Sequence, residues 1–156
     1  ELESFSLPEL VQDVVQDFQL SAQEKGVKLH ASVSERVPFV RADIRLIERV
    51  LQNLIENALR YTPEGGVVDI SLRREEGRVR VAIHDNGGSI PADELPHIFE
   101  RFHRAPQKGG EGKAGSGLGL AISERILELH ESIIEATSRL DEGTTFTFHL
   151  APAALH

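Results

Sequence analysis

Three groups of residues in this chain have the types and spacing to act on a ligand. Asn53 and Asn57 stand one helical turn apart and Arg60 follows by three, so on a helix the three share one strip and offer two amides and a cation to a common partner. A solvated helix edge also accounts for such a strip, although asparagine is a poor mid-helix residue and two copies lean toward use. Asp85 closes a stretch in which Val79, Val81 and Ile83 alternate, so period two turns its carboxylate toward the apolar side. An inward carboxylate needs donors or a ligand. Asn86-Gly87-Gly88-Ser89 follows directly, and a tight turn whose amides satisfy Asp85 is the simpler account of that residue alone. Finally, Gly109, Gly110, Gly112, Gly115, Gly117 and Gly119 run into an apolar-periodic segment. Glycines at a helix start let backbone amides approach an anion, and the helix dipole adds to the attraction; a flexible linker is the alternative. Arg101, Arg104, Lys108 and Lys113 lie in or beside this stretch, where cations could close over phosphates or equally keep a loop solvated.

The same residues exclude several chemistries. No glycine stands five before Gly112 in the Gly112-Lys113 pair and Ala114 replaces the Ser or Thr, so the phosphate loop of the P-loop enzymes is absent. Gly-Ser-Gly-Leu-Gly after a loop is not a dinucleotide fingerprint. The seven histidines show no metal-ligand spacing, and no Ser/His/Asp context suggests a nucleophile. A net charge of −8 argues against a nucleic-acid surface. The absence of cysteine removes any disulfide framework and is compatible with a reducing cytosol. No apolar run is long enough to cross a bilayer, so no direct membrane contact is expected.

The elements that must position these groups follow from periodicity. At 156 residues, one domain is expected. Ser6-Leu7-Pro8-Glu9 has the form of a capping box, Leu10, Val11, Val14, Val15, Phe18 and Ala22 recur at helical spacing, and Gly26 supplies a left-handed stop. Val27, Leu29, Ala31 and Val33 alternate as a half-buried strand. Asp43 caps a second helix that carries Ile44, Ile47, Val50, Leu51, Leu54, Ile55 and Ala58 to about Tyr61, where Thr62-Pro63-Glu64-Gly65-Gly66 breaks it. Val68-Ile70-Leu72 and Val79-Val81-Ile83 flank Glu75-Glu76-Gly77 as an antiparallel hairpin. Residues 91–117 hold a short amphipathic piece at Leu95-Pro96-His97-Ile98-Phe99 and then little to bury, the composition of a functional or disordered loop. A third helix opens at Leu118 with Leu118, Ile122, Ile126 and Leu129 on one face; strands at 133–137 and 144–150 joined near Asp141-Glu142-Gly143 end the chain. The predicted class is α+β, a two-layer sandwich of three main helices on one face of a mixed, mostly antiparallel sheet.

The order of these pieces resembles the catalytic ATP-binding domain of sensor histidine kinases, in the superfamily that also holds DNA gyrase, Hsp90 and MutL. Asn53-Leu54-Ile55-Glu56-Asn57-Ala58-Leu59-Arg60-Tyr61-Thr62 looks like the family's N box, Asp85-Asn86-Gly87 like its first glycine box, and Ile98-Phe99-Glu100-Arg101-Phe102 like its F box. Gly115-Ser116-Gly117-Leu118-Gly119-Leu120 looks like the second glycine box and Gly143-Thr144-Thr145-Phe146 like the final glycine-threonine motif. The resemblance implies ATP and Mg²⁺ as cofactors, with Asp85 accepting from the adenine amino group and Gly87, Ser89, Ile90 and Thr145 among the nucleotide-binding residues. It implies Asn57 as the metal ligand and Asn53 and Arg60 at the phosphates or their hydration shell, these three being the catalytic set, with Tyr61 near the nucleotide. Gly115 to Leu120 would hold phosphates at the helix start, and a lid at about 100–116 would bring Arg101, Arg104 and Lys113.

The resemblance further implies γ-phosphoryl transfer to a histidine on a separate helical dimerisation domain, which none of the seven histidines matches in context, and a response-regulator receiver domain downstream. The domain is expected to be monomeric and cytoplasmic, whether or not its parent protein is anchored in the inner membrane. Where the gyrase branch carries a water-activating glutamate four residues before the metal-binding asparagine, this chain has Asn53, which favours transfer over hydrolysis. Glu56 is the nearest carboxylate, on another part of the helix surface. Two positions depart from the pattern, Ser89 in place of the last glycine of Asp-x-Gly-x-Gly and Glu131 in place of a glycine after His130. The rival readings are a degenerate, nucleotide-poor protein-binding module and a gyrase- or Hsp90-type ATPase.

Overall fold

The computed structural model describes residues 1–33, 36–87, 90–100 and 118–153. The chain opens with a short strand β1 (Glu3–Phe5), and helix α1 (Leu7–Lys25) then starts at Ser6, whose hydroxyl accepts from Glu9 N at 3.4 Å. Gly26 ends it at φ 77°, a left-handed conformation that favours glycine. Strand β2 (Lys28–Val33) and the three-residue β3 (Val40–Ala42) precede helix α2 (Ile44–Tyr61). Asp43 caps α2 by accepting from Arg45 N and Leu46 N, each at 3.1 Å. Strands β4 (Val67–Glu75) and β5 (Arg78–Asp85) form the expected hairpin, a 3₁₀ turn covers Leu95–His97, and helix α3 (Gly119–Leu129), β6 (Glu135–Arg139) and β7 (Gly143–Leu150) complete the order.

Five strands make one sheet in the order β2-β4-β5-β7-β6, parallel between β2 and β4 and antiparallel elsewhere. The parallel pair arises because the chain between β2 and β4 passes through α2 as a crossover. Period two sorts the central strands: Val68, Ile70 and Leu72 of β4, Val79, Val81 and Ile83 of β5, and Phe146, Phe148 and Leu150 of β7 are buried on the inner face. The helices supply the opposing layer, with Val11 and Val14 of α1, Ile47, Leu51, Leu54 and Ile55 of α2, and Ile126 and Leu127 of α3 in one apolar core. The α+β class and the mixed, mostly antiparallel sheet are those predicted.

Three details differ from expectation. β1 and β3 pair antiparallel as a separate two-stranded sheet that the periodicity did not reveal, because three residues are too few to show alternation. Leu129, expected on the apolar face of α3, is 60% exposed, and Leu127 is buried in its place. Ile133 is 75% exposed while Ile134 is buried. The cause is the turn after α3: Glu131 takes φ 58°, its N–H returns to Glu128 O and that of Ser132 to Leu127 O. This Schellman-like ending sets the phase in which the chain enters β6.

Candidate functional site

Asp85 ends β5 with its carboxylate on the inner face, between Val68 of β4 and Thr144 of β7 in register. It is 4% exposed. Gly87 N donates to its Oδ1 at 3.0 Å, and among the described residues nothing donates to the other oxygen. Burial pushes the carboxyl up to about 6, only partly offset by the Gly87 amide and the nearby His84. One buried oxygen therefore stands ready for a donor that the described protein does not supply.

The backbone fits closely around this carboxylate. Gly143, at φ 86°, leaves so little room that a Cβ there would fall 1.8 Å from the Asp85 carbonyl oxygen. Gly87 lies against the end of α2, where a Cβ would meet Pro63 Cδ at 2.7 Å and Thr62 Cα at 3.0 Å. Asn86 Oδ1 accepts from Val67 N at 2.8 Å and ties the same turn to β4. Across β7, Ser138 Oγ accepts from Ile90 N at 2.6 Å and lies 3.0 Å from Thr144 Oγ1. Ile98 is buried, and Phe99 meets Phe146 edge-on with ring centroids 6.1 Å apart, which seats these first two residues of the predicted F box on the sheet.

Beside this pocket, α2 carries Asn53, Asn57, Arg60 and Tyr61, all half-buried, while Glu56 is exposed. Asn53 Nδ2 donates to Gly119 O and to Ser123 Oγ, both at 3.2 Å, and so joins α2 to the first turns of α3. Leu118 precedes that helix as its cap residue, and Gly119 and Leu120 open it. The last turn of α2 receives a cation from α1, Lys25 Nζ, which donates to the Leu59 carbonyl and, at 2.8 Å, to that of Arg60.

Comparison with known proteins adds a second line of observation. Residues 42–154 match the family model described as histidine kinase-, DNA gyrase B-, and HSP90-like ATPase. The chain belongs to that family. Within it, the histidine kinases are the relatives it resembles. The adaptive-response sensory kinase SasA of Microcystis aeruginosa is 38% identical over 94% of this chain and 38% of its own length. The catalytic domain of histidine kinase ThkA superposes with a TM-score of 0.83 at 28% identity, covering 96% of this chain and 97% of that one. ThkA has also been solved in complex with the response regulator TrrA, at 27% identity, a TM-score of 0.81 and coverage of 97% and 42%. Full-length ShkA in complex with AMPPNP gives a TM-score of 0.87 at 29% identity over 99% of this chain and 32% of that one. The chain thus matches a histidine kinase catalytic domain end to end and spans less than half of the kinase SasA.

Seen as a histidine kinase catalytic domain, the chain brings Asp85, Gly87 and Ile90 together at one end of the sheet and sets the α2 strip beside the start of α3. One expectation needs correction. Thr145 does not share the Asp85 face: it pairs with His84 on the opposite side, its Oγ1 2.7 Å from His84 Nδ1, and Thr144 is the neighbour of Asp85. Alternation with Phe146, Phe148 and Leu150 already turns Thr144 inward, and strand register makes it the cross-strand neighbour of Asp85. Asn53, expected at the phosphates or their hydration shell, donates its amide nitrogen to α3, which leaves the oxygen as the group to offer a ligand. Ser89, Arg101, Arg104, Lys113, Gly115, Ser116 and Gly117 lie outside the described residues. Sequence reasoning missed Thr144, Ser138, Ser123 and Lys25, whose parts depend on partners 6 to 70 positions away.

Proposed function

We propose that the chain is one nucleotide-binding unit that takes up Mg-ATP and transfers the γ-phosphoryl group to a histidine on a separate helical dimerisation domain of its parent kinase, from which a response-regulator receiver domain is then phosphorylated. The observation that carries the reading is Asp85: a carboxylate 4% exposed with one oxygen lacking a donor among the described residues. An adenine amino group supplies that donor, whereas a guanine would present a carbonyl oxygen to it. Gly87, Ile90 and Thr144 would flank the ring, and Ser89 follows Gly87 by two in the sequence.

The α2 strip suits the triphosphate end. The described residues hold no cluster of three or more His, Cys, Asp or Glu that could bind a metal. Neutral amide oxygens fit Mg²⁺ in this setting, because that ion keeps much of its water and takes its charge from substrate phosphates. Asn57 would hold it, with the Asn53 oxygen near its hydration shell. Bound Mg²⁺ would neutralise phosphate charge. Arg60, with Arg101, Arg104 and Lys113, would neutralise the rest, Tyr61 would flank the nucleotide, and amides from Gly115 to Leu120 would meet phosphate oxygens at the start of α3. Such a site acts by orientation and charge stabilisation. Asn53 cannot serve as a general base, and its amide nitrogen is bound to α3, so hydrolysis lacks the residue the gyrase branch uses.

The relatives support this reading: the similar ShkA structure holds AMPPNP, and ThkA is found with a response regulator. No described helix is long and apolar enough to cross a membrane. The test is to combine the chain with the dimerisation domain of its parent kinase, ATP and Mg²⁺. Acid-labile, base-stable phosphate on that domain is the expected product. Measured ATP binding without any phosphotransfer to a competent dimerisation domain would refute the kinase reading.

A further inference from the structure

The last turn of α2 carries Arg60 and Tyr61, with Asn57 just before them, and the carbonyls of any final helical turn need donors from outside the helix. Many helices find them in a left-handed glycine whose amide folds back. α2 has no such ending. Thr62 follows in an extended conformation at φ −88° and ψ 125°, and Pro63 has no N–H to return. Both donors of Thr62 go to Ala58 O, the amide at 3.0 Å and the hydroxyl at 2.7 Å. Beyond Pro63, Gly65 N goes to Gly26 O at 2.8 Å and Gly66 N to Pro63 O at 2.9 Å.

The donor for the Leu59 and Arg60 carbonyls comes instead from the far end of α1, as the Lys25 ammonium. Lys25 is half-buried, and the cross-links around it hold it there: Gly65 N to Gly26 O on one side and Lys28 N to Gly66 O, at 3.0 Å, on the other. A cation at this point also opposes the negative end of the α2 dipole. Desolvation, then the nearby Arg60 charge, lower the Lys25 pKa from its ordinary value, so the ammonium is held against a local preference for the neutral amine. Its position is set by α1, and what it secures is the turn of α2 that faces the site.

We propose that Lys25 is a positioning residue for nucleotide binding: by closing the last turn of α2 from outside, it holds Asn57, Arg60 and Tyr61 in the geometry the phosphates and metal require. The proposal rests on the nucleotide reading above. Without this ammonium the turn lacks its donor and the strip loses its fixed orientation, while Asp85, carried by the sheet, stays in place.

The test uses the 156-residue chain and Mg-AMPPNP. Wild type, Lys25→Met, Lys25→Gln and Lys25→Arg are titrated calorimetrically at a temperature where circular dichroism shows each to be folded. Amide hydrogen exchange is followed along α2. Lys25→Met is expected to bind roughly fivefold more weakly or worse, the worth of about one net hydrogen bond. Faster exchange is expected at Thr62 N–H with the middle of α2 unchanged, and Lys25→Arg, which keeps the charge and the donors, should return close to wild type. Lys25→Gln, with one neutral donor, should fall between and carries the test if Lys25→Met does not fold. Wild-type affinity in folded Lys25→Met or Lys25→Gln, or a loss in Lys25→Arg as large as in Lys25→Met, would overturn the proposal. Failure of the wild-type chain itself to bind AMPPNP would overturn the nucleotide reading instead.

Discussion

The two ends of the site are built differently. Around Asp85 the backbone itself makes the pocket, with Gly143 and Gly87 so close to their neighbours that no side chain fits and strand register deciding which residues face in. Along α2 the geometry hangs on side chains, Asn53 reaching Gly119 and Ser123 of α3, and Lys25 of α1 reaching the last turn of α2. A pocket made of backbone is intolerant and specific. A seam made of side chains can give way by degrees.

Mutation should separate the two. Gly143→Ala places a methyl 1.8 Å from the Asp85 carbonyl oxygen at a positive φ, so urea denaturation should show a loss of about 3 kcal/mol or more, and a change under 1 kcal/mol would mean the sheet end is looser than described. Asp85→Asn replaces the acceptor with an amide while relieving a buried charge. ATP affinity should fall roughly tenfold to a hundredfold in calorimetry, with stability held or increased. If affinity and stability fell together, Asp85 would be a structural carboxylate.

The pH dependence sharpens the same point. Asp85 has a folded pKa of about 6 against an ordinary 3.8, so the folded state holds its proton more tightly. This group's contribution therefore favours the folded state at low pH and is lost as pH rises from about 4 to about 6. Nucleotide affinity should run the opposite way, rising through pH 6 as the acceptor ionises, and Asp85→Asn should flatten that rise. At the seam, Ser123→Ala removes one acceptor of Asn53 and should weaken ATP binding only a few-fold, at about 1 kcal/mol of stability in denaturant. A loss as large as that of Asp85→Asn would erase the contrast between the ends. The smallest effect is expected at Glu131, which sits at φ 58° after α3; Glu131→Gly should raise the melting temperature slightly, a gain of about 0.5–1 kcal/mol.

Much of this was legible before any coordinates. Alternation of Val79, Val81 and Ile83 turned Asp85 inward, and Asp43 with its apolar period placed the strip of Asn53, Asn57 and Arg60 on one helix. Local rules sufficed because side-chain direction within a helix or strand repeats with a fixed period. β1 and β3 were illegible because three residues carry no period, whereas the inward side of Thr144 was legible in its alternation with Phe146, Phe148 and Leu150, and only its pairing with Asp85 was not.

The sequence by itself determined the α+β class, the order of the three helices and the five strands of the main sheet, the inward carboxylate and the family, since each follows from composition, period or a short motif. Tertiary structure alone decided that Thr144 pairs with Asp85, which end of the Asn53 amide is occupied, and that α1 supplies the cation closing α2. Those contacts join residues 59, 66 and 35 positions apart, and no local periodicity carries information across such distances.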